Sequence, residues 1–294
     1  MSLFAVLGVS GHTGRVVAES LLSRGHRVRV VVRDEAKAAP FVARGAELAL
    51  ADVTDAAALG RALEGVDGAY LLVPPNLATG DMRGWQARVS DALVAAVTAA
   101  APPHVVLLSS VGAQHPDGTG PIQALFPLEA RLRALPATRS SFLRAASFME
   151  NLQGNFGMLD QGLLPSFTPA GLGLPMIASV DIGEAAADLL LEGPPAEGAR
   201  VVELGSEPIS YQDVALALSA QLGRPVQVAE APVAVMAETL RGFGFPADAS
   251  ALLQEMTEGL IGGRVAFEGG HRRLSGRVGV AAFLASALSA GAAA

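Results

Sequence analysis

Leu3-Phe4-Ala5-Val6-Leu7-Gly8-Val9-Ser10-Gly11-His12-Thr13-Gly14 decides the fold of this chain. Five apolar residues run straight into a glycine loop of spacing GxxGxxG. A helical pattern follows, with Val16, Val17, Ser20, Leu21 and Leu22 set against Arg15, Glu19 and Arg24. Strand, glycine loop, helix is the order that a dinucleotide pyrophosphate requires. Glycines let the backbone turn tightly and approach the phosphates, and the helix N-terminus presents free N–H groups at the positive end of its dipole. The spacing differs from the usual GxGxxG, so the reading draws on context: a strand directly before the loop and a helix directly after it. The alternative is a glycine-rich turn that holds no ligand.

Working outward, apolar runs at 28–32, 46–50, 68–73, 104–108 and 138–143 predict five more strands. Helical patterns lie between them at 36–44, 55–63, 82–100 and 122–135. Each strand–helix pair takes the length of a βαβ unit, so the expected fold class is α/β: a doubly wound parallel sheet of the Rossmann type with a smaller C-terminal α+β lobe. Residues 1–150 are expected to form the dinucleotide-binding domain. Residues 151–294 are expected to form a substrate-side lobe, partly interleaved with the sheet. In that half helices are predicted at 148–159, 181–192 (Asp181 a candidate cap), 211–222, 233–242 and 249–259, with strands at 200–204 and 225–229.

Composition removes several function classes. The chain has 294 residues, 51% of them hydrophobic, and a net charge of −7, which argues against a nucleic-acid surface. It has no cysteine, so disulfides, thiolate metal sites and cysteine nucleophiles are excluded, and its five histidines show no metal-ligand spacing. The uncharged stretch 162–180 is broken by Pro165, Pro169 and Pro175, and the uncharged tail 278–294 reads as a docked helix. No signal peptide precedes the first strand. The expectation is a cytoplasmic protein with no membrane span and no metal. Its partner would be a small-molecule substrate, with a protein partner or a homodimer also open.

The second strand identifies the cofactor. It ends in Arg33-Asp34, where an acidic side chain would accept from the ribose of NAD and a cation would receive the 2′-phosphate of NADP. Arg33 suits the phosphate, Lys37 (the only lysine) follows it, and Asp34 reads as a turn or helix cap. NADP(H) is therefore expected. Asp52 and Val53 follow the third strand; Asp52 suits either the adenine amino group or the cap of the next helix. Val73 and Pro74 end the fourth strand as an apolar wall. His12 is a solvent-facing spacer within the cofactor loop.

The chemistry is expected at the ends of the fifth and sixth strands. The Tyr-x-x-x-Lys dyad of ordinary short-chain dehydrogenases is excluded, because the only tyrosines are Tyr70 and Tyr211 and the only lysine is Lys37. Ser109 and Ser110 suit a ligand contact or a strand cap. His115, with Asp117, suits a proton donor but reads better as a surface loop. Arg264, Arg272, Arg273 and Arg277 read as a solvated basic face.

Four stretches together resemble the NmrA-like group of atypical short-chain dehydrogenases: the glycine loop, Val30-Val31-Val32-Arg33-Asp34, Leu107-Leu108-Ser109-Ser110-Val111, and Phe142-Leu143-Arg144 with Phe148-Met149-Glu150-Asn151. The resemblance spans about residues 1–200. It implies NADP(H) binding, and either reduction of quinones, azo dyes or related conjugated acceptors, or non-catalytic sensing of the NADPH/NADP ratio. It places Gly8, Gly11, Thr13, Gly14 and Arg33 on the cofactor and Phe148 and Asn151 near the nicotinamide. Two positions depart from the group: Ala145 stands where a proline is usual, and residues 125–129 lack the lysine often found there.

Overall fold

The computed structural model describes residues 1–291. Six strands lie where the apolar runs predict them: β1 Leu3–Leu7, β2 Arg27–Val32, β3 Glu47–Leu50, β4 Gly68–Leu71, β5 His104–Ser110 and β6 Arg139–Ala145. The strands Ala199–Gly205 and Arg272–Ser275 join them in one eight-stranded sheet. Its order is β3-β2-β1-β4-β5-β6, then Ala199–Gly205 and Arg272–Ser275, and every pairing is parallel. The order reverses between β1 and β4. At such a switch point a crevice opens outside the carboxyl ends of the strands.

A parallel sheet needs cover on both faces, and the alternation of side chains along β1 supplies it. Phe4 and Val6 join the core beneath helices His12–Ser23 and Ser179–Glu192, while Leu3, Ala5 and Leu7 join the core beneath Ala56–Leu63, Met82–Ala100 and Leu125–Arg133. A third core, with Met149, Leu164, Met176, Leu218 and Leu284, holds the second half together. The tail docks there as helix Val280–Gly291; residues 292–294 of the predicted tail lie outside the described residues.

Several elements differ from expectation. The helix expected at 36–44 is split into a 3-10 turn, Glu35–Lys37, and a short helix, Ala39–Val42. Asp34 caps the turn by accepting from the Ala36 N–H at 3.0 Å, and Pro40 restarts the winding where no N–H is needed. The helix at 122–135 likewise begins as a 3-10 turn, Gly120–Ala124. The segment expected as an α-helix at 148–159 winds as 3-10 turns over Met149–Gln161, where Gly154, Gly157, Asn151 and Asn155 disfavour the α form. Asp181 does not cap its helix. It sits in the first turn, and its carboxylate accepts from the Arg277 and Val278 N–H groups, each at 3.0 Å. The edge strand Arg272–Ser275 was not foreseen, because Arg-Arg-Leu-Ser offers one apolar residue. The four arginines Arg264, Arg272, Arg273 and Arg277 are exposed, as expected of a solvated cluster, and three of them are engaged: Arg264 pairs with Asp117, Arg272 with Glu192, and Arg273 lies over the Phe267 ring.

The amino end of β5 carries a pH-dependent load. His104 is 1% exposed, its Nε2 lies 2.8 Å from Ser141 Oγ, and burial, with Arg200 nearby, pushes its imidazole down to about 4. Unfolded, it protonates near 6.5. Between those values the unfolded chain binds the extra proton. This part of the stability is therefore complete above about pH 6.5 and falls by about 1.4 kcal/mol per unit toward pH 4. Urea unfolding across that range should show the slope in the wild type and a shallower one in His104→Phe; identical slopes would remove His104 as its source.

Candidate functional site

Two cavities lie over the carboxyl edge of the sheet, on neighbouring strands. The first, about 260 Å³, sits over β1–β4 and is lined among others by Gly8, Ser10, Arg33, Val53, Pro74 and Trp85. The second, about 360 Å³, sits over β5 and β6, where Ser110 and Ser147 reach its wall.

The glycine loop shapes the first cavity. Gly8 has φ of +71°, a conformation that residues with a side chain rarely adopt, and a Cβ there would meet Leu72 Cδ2 at 2.7 Å and have to push it aside. Gly11 donates its N–H to the Gly8 carbonyl at 2.9 Å and caps helix His12–Ser23 without any side-chain hydrogen bond. The first-turn N–H groups therefore face outward without a capping side chain. Gly11 and His12 are exposed, whereas Thr13 and Gly14 are buried. The Thr13 hydroxyl accepts from Tyr70 at 2.9 Å. Tyr70 is fully buried, which pushes its phenol well above its ordinary value and gives it a structural role.

Arg33 stands at the tip of β2 with its side chain 71% exposed and faces Asp52 at 3.8 Å. Asp52 accepts from the Thr54 N–H at 2.9 Å and the Thr54 hydroxyl at 2.6 Å. Those bonds, with Arg33 adding less, hold its carboxyl below the usual range. Asp55, not Asp52, caps the following helix by accepting from the Ala58 N–H. Lys37 is exposed on the turn after Arg33. Val73 does not line the cavity and, half-buried, packs against the core, whereas Pro74 lines the wall, its carbonyl accepting from the Trp85 indole at 3.1 Å. Trp85 carried no signal as a site residue beyond being the only tryptophan.

The motif Phe148-Met149-Glu150-Asn151 divides its work. Phe148 and Asn151 line the second cavity, Met149 is buried in the third core, and Glu150 accepts from the Ser179 N–H at 2.9 Å, capping a helix 29 residues away. Ser110 reaches the cavity, its hydroxyl donating to the Val111 carbonyl at 2.9 Å. Ser109 does not line it: it is 3% exposed and donates to Glu129 at 2.5 Å. His115 also stands off both cavities, on the loop whose Asp117 is tied to Arg264.

Beneath Ser109 lies a buried ion pair. Arg144 donates to both Glu129 oxygens, at 3.0 and 2.7 Å, and both residues are under 5% exposed. A third bond runs from Arg144 to Glu268 at 2.6 Å. Burial opposes the guanidinium charge, and the two carboxylates outweigh it, so Arg144 is held above its ordinary value. Glu129 is thus spent on a structural contact and does not line the cavity.

The sequence profile of the NmrA-like family matches residues 1–268. The NAD(P)H azoreductase of Xenophilus azovorans is 27% identical over 260 residues, 86% of each chain. The (4-alkanoyl-5-oxo-2,5-dihydrofuran-3-yl)methyl phosphate reductase of Streptomyces griseus is 29% identical over 281 residues, 94% of this chain and 93% of that one. An NADPH-dependent quinone oxidoreductase from Escherichia coli, solved with NADPH, superposes with a TM-score of 0.78 at 24% identity, covering 97% of this chain and 99% of that one, and shares the fold. With the glycine loop, the Arg33 strand tip and the Phe148–Asn151 motif set around one sheet edge, and the profile running through all of them, this chain belongs to the NmrA-like family.

Proposed function

We propose that the protein is an NADPH-dependent reductase of a conjugated small molecule such as a quinone, working without a Tyr-x-x-x-Lys dyad. One observation carries the reading: a cleft lined by the glycine loop and Arg33 and an uncharged, mostly apolar cavity share a single sheet edge on neighbouring strands. The residues fit NADP(H). The helix N-terminus behind Gly11, held close to the end of β1 by the tight packing that Gly8 and Gly14 permit, suits the pyrophosphate, and Arg33 and Lys37 suit the 2′-phosphate. Val53 and Pro74 would flank the adenosine half, while Phe148 and Asn151 would flank the nicotinamide. When bound, NADPH supplies the hydride. The protein's part is orientation and exclusion of water, which suits an acceptor whose reduced form is stabilised by delocalisation. Residues 1–150 serve the nucleotide on this reading, 151–294 the substrate, and the reaction is cytoplasmic. Among the described residues no helix is long and apolar enough to cross a membrane.

A panel of quinones with NADPH, followed at the absorbance of the reduced nicotinamide, tests it. Tight NADPH binding with no turnover of any acceptor would replace the reductase by the non-catalytic sensor, which acts through a protein partner. The cofactor assignment has its own test. Charge-assisted hydrogen bonds contribute about 1.5–3 kcal/mol each, so Arg33→Ala should lose about tenfold or more in NADPH affinity with little change for NADH. Trp85 lines the same cleft and reports binding by its fluorescence. Equal wild-type affinities for the two cofactors would refute the assignment.

A further inference from the structure

The cavity over β5 and β6 contains one phenol. We propose that Tyr211 hydrogen-bonds the carbonyl oxygen of the acceptor, and that the cavity selects an uncharged conjugated carbonyl compound over an anionic one. The inference rests on the reductase reading and names its substrate class.

Tyr211 is the first residue of helix Tyr211–Leu222, fixed there by the reciprocal cap between Ser210 and Asp213. Its ring lines the cavity, and its oxygen accepts from Asn155 Nδ2 at 3.0 Å. That bond occupies a lone pair and leaves the phenolic proton without an acceptor among the described residues. Burial raises the phenol above its ordinary value, so the donor form persists at neutral pH. Phe148, Phe167, Met236 and Met256 add flat or polarisable walls suited to a planar ring. No Asp, Glu, Lys, Arg or His lines the cavity among the described residues. A sulfonate or phosphate would have to shed water there with no cation to receive it.

The chemistry balances. The acceptor gains a hydride, hydrogen with two electrons, from the reduced nicotinamide, which leaves oxidised. The π pair of the acceptor moves onto its carbonyl oxygen. The Tyr211 O–H donates to that oxygen as charge develops, and solvent delivers the proton that completes the hydroxyl. A donor aimed at developing oxyanion charge acts mainly on kcat.

The test uses 1,4-naphthoquinone and its 2-sulfonate. Isothermal titration with NADPH first establishes that Tyr211→Phe is folded. The variant should then lose about 100-fold in kcat with naphthoquinone while KM moves only a few-fold. Asn155→Ala, which frees the phenol, should lower kcat about tenfold in the wild type and leave it unchanged in Tyr211→Phe. The wild type should bind the sulfonate at least about tenfold more weakly than the parent quinone. Unchanged kcat in Tyr211→Phe, or equal binding of the two quinones, overturns the proposal. If the wild type binds naphthoquinone without oxidising NADPH, the reductase reading falls. Binding still decides the site: a several-fold loss in Tyr211→Phe supports the Tyr211 contact, and unchanged binding overturns it.

Discussion

Glu129→Ala is expected to lose about 3–5 kcal/mol of folding stability, because it strands the buried Arg144 guanidinium without its bidentate partner. Glu268 cannot take over. It reaches Arg144 through one oxygen, and its side chain is 43% exposed, so its pull is partly screened. The Ser109 hydroxyl loses its acceptor in the same substitution. Removing both charges should cost less than removing one: Glu129→Leu with Arg144→Leu should recover about half of the loss and leave about 1–3 kcal/mol for the orphaned Ser109 hydroxyl. Urea unfolding of the single and double variants checks the pattern. A loss below about 1 kcal/mol in Glu129→Ala would mean that water reaches Arg144 and that the pair is not buried in solution.

That pair shows where a single sequence stops being legible. The central strands β1 and β4 could be read because a parallel strand buried on both faces is a short, nearly unbroken apolar run bounded by turns. Leu3–Leu7 and Gly68–Leu71 are of this kind, buried at every position, whereas β2 was read from the run Val30–Val32 at its buried end. The strand Arg272–Ser275 was hidden because an edge strand is half solvated and need not be apolar. The glycine loop and Arg33 were legible because backbone approach and a strand-tip charge are local properties. Glu129 and Arg144 lie on different elements, and so do Asn155 and Tyr211, 56 residues apart. Nothing local in the chain marks either pair; only the packing of a helix on a strand, or of the 3-10 segment on a helix start, brings them together. The same packing explains why Ser109 and Ser110, adjacent in sequence, part company. Alternation along β5 sends Ser109 down to Glu129 and leaves Ser110 at the cavity.

Gly14→Val and Gly11→Val should fail in opposite ways. A Cβ at Gly14 would stand 2.5 Å from the carbonyl oxygens of both Leu7 and Gly8. Those atoms are backbone of β1 and its loop, so no rotamer change relieves the collision, and the helix must lift off the strand. The cost should be about 3 kcal/mol or more, with NADPH binding lost along with the packing. Gly11 has φ of −101° and ψ of −175°, extended backbone that a β-branched residue adopts freely. A Cβ there meets only the Gly8 carbonyl, at 3.4 Å, an ordinary van der Waals distance. Gly11→Val should therefore fold, losing about 1 kcal/mol for a poorer cap residue. It should nonetheless not bind NADPH, because it sets a branched side chain beside the first-turn N–H groups that the pyrophosphate needs. Thermal melts beside isothermal titration with NADPH separate the two outcomes. If the loop were only a turn, the wild type would have no affinity to lose. If Gly11→Val bound NADPH like the wild type, the pyrophosphate would have to lie elsewhere, and the roles assigned to Arg33 and to the adjoining cavity would lose their common anchor.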